Sequence, residues 1–312
     1  MKHTFSLLLM VVITFIGCRK DSTTEPPTER DYFTDFITSD SEYGDFAAMD
    51  DDGSEDDTTS GFSKLFDGTL DSITPIRFGK KITGLISRTY DVQNLSDTVR
   101  IVSITKKLNG KLIVRGIITG TGETTRVVKP FVQTVQRKFE FHRKARTDDP
   151  RKNWRPYAVT VGAGTTPMQA DSFAIDSLVI TTPDTMLVIT SPLETWLLFG
   201  MGKKIPMLNR NDDVNVRMVL HSWASKPEKV FLHHGKARKK ENSDKKRKEI
   251  PLVSEIDHPS GGKLRAYATT YDIHHRAGRF GAIFEAMSNN SLYDNDSAKY
   301  GSSFWGVPYK VK

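Results

Sequence analysis

Cysteine is almost missing: Cys18 is the only one in 312 residues. One thiol cannot close a disulfide within the chain, so the folded part must hold together by burying apolar surface. The same scarcity excludes cysteine-ligated zinc and iron–sulfur centres. Long apolar runs are missing too. Residues 5–16 form a twelve-residue run interrupted by Ser6 and Thr14, whereas a bilayer-spanning helix needs roughly 18 or more. The chain contains no Gly-x-Ser-x-Gly elbow, Walker loop or dinucleotide fingerprint. Its eight histidines include the adjacent pairs His233-His234 and His274-His275. Neighbours on a strand face opposite ways, so neither pair chelates one ion. His221, His234 and one of the second pair would converge only on neighbouring strands. The acidic run 50–57 fails as a calcium loop, because aligning Gly53 puts Ala48 and Thr59 where acidic oxygens are required. The expectation is no metal, no cofactor and no enzyme activity.

What is present begins at the N-terminus. Lys2 precedes the apolar run, and Gly17 precedes Cys18; a short apolar core with a basic start fits a cleavable secretory signal. Phe15-Ile16-Gly17-Cys18 resembles the lipobox of bacterial lipoproteins. The resemblance implies removal of residues 1–17 and acylation of Cys18, palmitate included. It also implies a place on the bacterial cell envelope, at the outer membrane, with the periplasmic or surface face left open. One acyl chain holds reversibly and two hold firmly, at about 0.8 kcal/mol per buried CH₂.

Charge divides the chain. Its net charge is +7, yet residues 21–60 carry fourteen acids against Arg30 alone, a balance of −13. Residues 1–20 carry +3, which leaves +17 on the remainder. Residues 18–61 are poor in aliphatics and read as a disordered acidic tether. Within it, Tyr32, Phe33, Phe36 and Ile37 are the one signal of order, a helical turn or docking spot.

The body reads as predominantly all-β, in two antiparallel modules. In the first, residues 62–165, Asn109-Gly110 stands between β-rich runs and predicts a tight hairpin turn. Residues 76–90 are the best helical candidate there, interrupted by Gly79 and Gly84. Residues 137–155 mix Arg137, Lys138, Arg143 and other cations with Phe139, Phe141 and Trp154. The expected arrangement is aromatics inward and cations outward, as a half-buried strand requires. The second module, residues 171–312, has about seven short runs and resembles immunoglobulin-like or fibronectin type III sandwiches. Its clearest alternation puts Val214, Val216, Met218 and Leu220 on one face. Pro308 lacks a backbone donor, which predicts an edge strand.

Between the runs lies a basic stretch holding Lys236, Arg238, Lys239, Lys240, Lys245, Lys246, Arg247 and Lys248. Such runs are solvated loops or sites for anionic polymers. Three functions follow. The leading one is a non-catalytic, lipid-anchored envelope protein in adhesion, scaffolding or assembly, with the membrane and an envelope protein as partners. The second is a binding module for an anionic glycan or cell-wall polymer; secretion argues against nucleic acid. The third is an envelope hydrolase, which requires a deep pocket of converging carboxylates or histidines.

Overall fold

Three long strands open the body, and in the second and third, residues 99–118 and 124–143, buried and exposed positions alternate over most of their length. The computed structural model describes residues 28–39, 72–167, 173–199, 205–235, 246–273 and 277–312. In chain order the elements are α1 (Glu29–Ser39), β1 (Ile73–Ser96), β2 (Val99–Ile118), β3 (Thr124–Arg143), α2 (Pro150–Asn153), β4 (Trp154–Thr160) and β5 (Gly162–Thr165). Then follow β6 (Phe173–Thr181), β7 (Met186–Ile189), β8 (Trp196–Leu198), β9 (Met207–Leu208), β10 (Asp213–Ser222) and β11 (Lys229–Gly235). The last are β12 (Lys246–Ile250), β13 (Leu252–Asp257), β14 (Lys263–Asp272), β15 (Gly278–Met287), α3 (Asn289–Tyr293) and β16 (Ser302–Val311).

The all-β expectation is met, with two sheets. One has eleven strands along the path β1-β2-β3-β5-β16-β15-β11-β12, with β4 attached at β3, β8 at β4 and β9 at β16. The other has five, in the order β13-β14-β10-β6-β7. Pairing is antiparallel except for β9, which runs parallel to β16. The large sheet curls without closing into a barrel. Arg247 of β12 lies 3.9 Å over the Phe78 ring of β1 and donates Nη2 to the Phe78 carbonyl at 2.9 Å. The curl therefore has an inner face, holding Leu108, Val135 and Phe304, and an outer face.

The expected boundary between residues 165 and 171 does not separate two sheets. β5 pairs with β3 on one side and β16 on the other, so strands from both halves share one hydrogen-bond network. The runs of 171–312 supply strands to both sheets, which share a core in a sandwich-like arrangement, but the large sheet also takes in the strands of 62–165. Pro251 alone separates β12 in one sheet from β13 in the other, and its fixed φ suits a corner. Val214, Val216, Met218 and Leu220 do share a buried face, against Phe284 and Trp305 of the large sheet in one core.

Four local expectations change. Asn109-Gly110 is no turn: both residues lie inside β2, paired with Val132 and Phe131. Gly110 is needed there for space, since a Cβ would come 2.2 Å from the Phe131 ring. The reversal occurs later, at Gly120 and Gly122, whose φ values of 94° and 75° suit glycine. Residues 76–90 are strand, and Gly84 sits beside a register shift. Pro308 lies in an interior strand. Ser302 N and Lys310 N both donate away from β15, to Thr166 Oγ1 and the Pro206 carbonyl. With period two, the Pro308 nitrogen faces that side, in the gap between β5 and β9 where no donor is needed. Finally, part of the supposed tether is ordered. Phe33 and Ile37 of α1 are 0% and 2% exposed, with Phe33 4.6 Å from Phe141 and 5.6 Å from Trp154 between ring centroids. The rest of 18–61 lies outside the described residues apart from Thr28.

Candidate functional site

Residues named from sequence are placed unevenly. Cys18, Lys236, Arg238, Lys239, Lys240 and Lys245 lie outside the described residues. Lys246, Arg247 and Lys248 belong to β12 rather than to a loop. Lys246 pairs with His234 across to β11. Arg247 joins β12 to Phe78, and Lys248 Nζ donates to the Thr270 carbonyl of the small sheet at 2.6 Å. Both hold the architecture together at the end of the basic stretch.

His221 and His234 lie apart: His221 is at the Leu264 end of β10, whereas the Tyr271 that His234 faces pairs with Val214 at the other end. His221 bonds to the Gly261 carbonyl at 2.8 Å and packs 4.2 Å from the His258 ring. His233 and His234 face opposite ways, as strand geometry requires: His233 meets Glu285, while His234 faces Tyr271. No group of three His, Cys, Asp or Glu suited to a metal occurs among the described residues. His274 and His275 lie outside them.

Two buried polar clusters went unread in the sequence. On the inner face, Lys80 of β1 reaches Glu285 Oε1 of β15 at 2.8 Å, and His233 Nε2 lies 3.2 Å from Oε2. Burial works to raise the Glu285 pKa, but the Lys80 charge and the bonds from His233 and Lys80 outweigh it. The carboxyl is held well below its usual range. Lys80 also lies 5.5 Å from the Phe131 and Phe304 ring centroids. The signal available was Glu285 itself, an acid at the end of the apolar run 280–284. At the other cluster, Arg265 is fully buried and meets Glu228 at 3.1 Å and Glu255 at 2.6 Å. It also donates to the Ala224, Ser225 and Lys226 carbonyls.

Nearby basic residues behave alike. Arg137 lies on the buried side with Phe139, not outward as expected, and donates Nη2 to the Gly306 carbonyl at 2.9 Å. Burial pushes its pKa down. Lys129 is buried and holds the Asn290 and Lys299 carbonyls, and desolvation lowers its pKa to about 8.

The outer face of β1–β3 is different. Strand register places Arg77 beside Arg115 and Arg115 beside Arg126, across three strands. Lys81 is opposite Lys111, and Lys107 shares their side. Cross-strand like charges repel, so the Lys81–Lys111 pair costs stability. From the Thr74–Ile117–Thr124 row to the Thr89–Thr105–Gln136 row, the ladder-paired positions on this face carry six cations and no carboxylate. Arg77, Lys81, Lys107 and Lys111 make no ion pair among the described residues. Ile117 and Val132 share the face and are each 39% exposed. The sequence carried a hint in the same-parity spacing of Lys107, Lys111 and Arg115; their cross-strand neighbours required the register. No family model matches this chain, and no curated protein matches it in sequence.

Proposed function

We propose that the protein is a non-catalytic, lipid-anchored component of a bacterial cell envelope, attached through acylated Cys18. It acts in adhesion, scaffolding or as an accessory subunit of an envelope assembly. The observation that carries this reading is the use made of its buried charges. Glu285 is clamped at both oxygens by Lys80 and His233. Glu228 is held by Arg265, Ser222 and Tyr267. A general acid or base needs a proton it can exchange with substrate, whereas these carboxylates tie strand to strand.

The anchor is consistent with the position of α1. Eleven positions separate Cys18 from Glu29, so the lipid lies within about 40 Å of the docked helix even with the chain fully extended. Mass spectrometry of protein recovered from the envelope tests the reading. The expected mature chain starts at Cys18 and carries acyl mass, and Cys18→Ser moves the protein to the soluble fraction once envelopes are washed in high salt. A bare Cys18 thiol, or membrane recovery in high salt unchanged by the substitution, would sink it.

A further inference from the structure

We propose that the outer face of β1–β3 docks on the anionic headgroup surface of a phospholipid bilayer; the envelope reading above supplies the bilayer. Charge complementarity is the first reason. Arg77, Lys81, Lys107, Lys111, Arg115 and Arg126 share one side of three neighbouring strands, with no carboxylate among the ladder positions between the rows that bound them. Structural ion pairing does not explain the four that make none among the described residues. Placing Lys81 directly opposite Lys111, with neither ion-paired among the described residues, opposes folding; a plane of phosphates removes that repulsion.

The apolar residues select a bilayer over a dissolved polyanion. Ile117 and Val132 stand exposed among the cations, and Ile76 and Ile86 are about half exposed at the register shifts flanking Arg77 and Ser87. A soluble anionic polymer has no use for them. An interface accepts both kinds, since lysine and arginine stems lie along apolar surface while their heads meet phosphate.

The leash permits the contact. Glu29 pairs with Arg100 Nε at 3.5 Å. Lys107 and Lys111 lie roughly 24 and 37 Å along β2 from Arg100, at about 3.4 Å per residue. Both distances are within the ~40 Å that eleven residues can span.

The test uses the mature chain with Cys18→Ser, so that no acyl chain contributes, in co-sedimentation with vesicles. One set is phosphatidylcholine alone and the other contains phosphatidylglycerol. The expected result is binding that requires the anionic lipid and weakens with salt. Combining Lys81→Ser, Lys107→Ser, Lys111→Ser and Arg126→Ser should lower the partition coefficient roughly 100-fold or more. The melting temperature should hold or rise as repulsion is relieved. A matched variant with Lys236, Lys239, Lys240 and Lys245 changed to Ser should keep most of the binding. Equal binding by the face variant, equal binding to neutral vesicles, or capture by polygalacturonate in preference to vesicles would each overturn the proposal. Failure here leaves the lipid anchor untouched, because mass spectrometry of Cys18 decides that separately.

Discussion

Two aromatic rings lie flat on glycines, and that contact fixes what those positions tolerate. A Cβ at Gly110 would stand 2.2 Å from the Phe131 ring, and one at Gly164 would stand 2.0 Å from the Phe304 ring. Gly110→Ala or Gly164→Ala should therefore cost about 1–3 kcal/mol through overpacking, read as a lower urea midpoint with unchanged slope. Glu285 makes a second prediction at this scale. Glu285→Gln leaves Lys80 buried beside a neutral partner, a change that costs about 3–5 kcal/mol. Converting both Lys80 and Glu285 to Met should cost far less. The pH dependence has a definite sign. A carboxyl held below its ordinary value stabilises fully above the unfolded value of 4.5, and loses that contribution as pH falls toward the folded value. Urea unfolding of the parent should weaken steeply below pH 4.5, and that of Glu285→Gln less steeply.

Among elements, α1 has the clearest consequence. It is held by Phe33, Ile37 and the ion pairs of Glu29 with Arg100 and Arg143, yet no ladder hydrogen bonds bind it to a sheet. Phe33→Asp should release the helix while the sheets persist. Hydrogen exchange would then rise in residues 29–39 and around Phe141 and Trp154, but not in β10 or β14. Protection retained across α1 would contradict this. Legibility in sequence divides at the same scale. Val214 to Leu220 were readable because strict alternation reports which face is buried. Tyr32, Phe33, Phe36 and Ile37 were readable as an apolar cluster, but its docking surface was not. Asn109-Gly110 misled because turn propensity is local, while the β2–β3 ladder is decided by nineteen paired positions. Pro308 misled because losing a donor matters only on the side where a partner would sit.

For the whole molecule, periodicity shows that a strand has a buried side but never names its partner. The strands of 62–165 and 171–312 therefore read as separate modules, although β5 and β16 join them. The cationic face was hidden for the same reason: Arg77, Arg115 and Arg126 become neighbours only through register. One prediction follows from the shared sheet. Residues 171–312 expressed alone should lack a cooperative thermal transition, because β16 loses β5 and the small sheet loses part of its core. A sharp melt with dispersed amide resonances would refute it.

The place of β16 bears on the order of assembly. Ser302–Val311 follows all of its partners in the chain and yet has neighbours on both sides, β15 on one and β5 and β9 on the other. Until that keystone is in place, β15 and β5 have no strand between them, so the two flanks of the arch meet last.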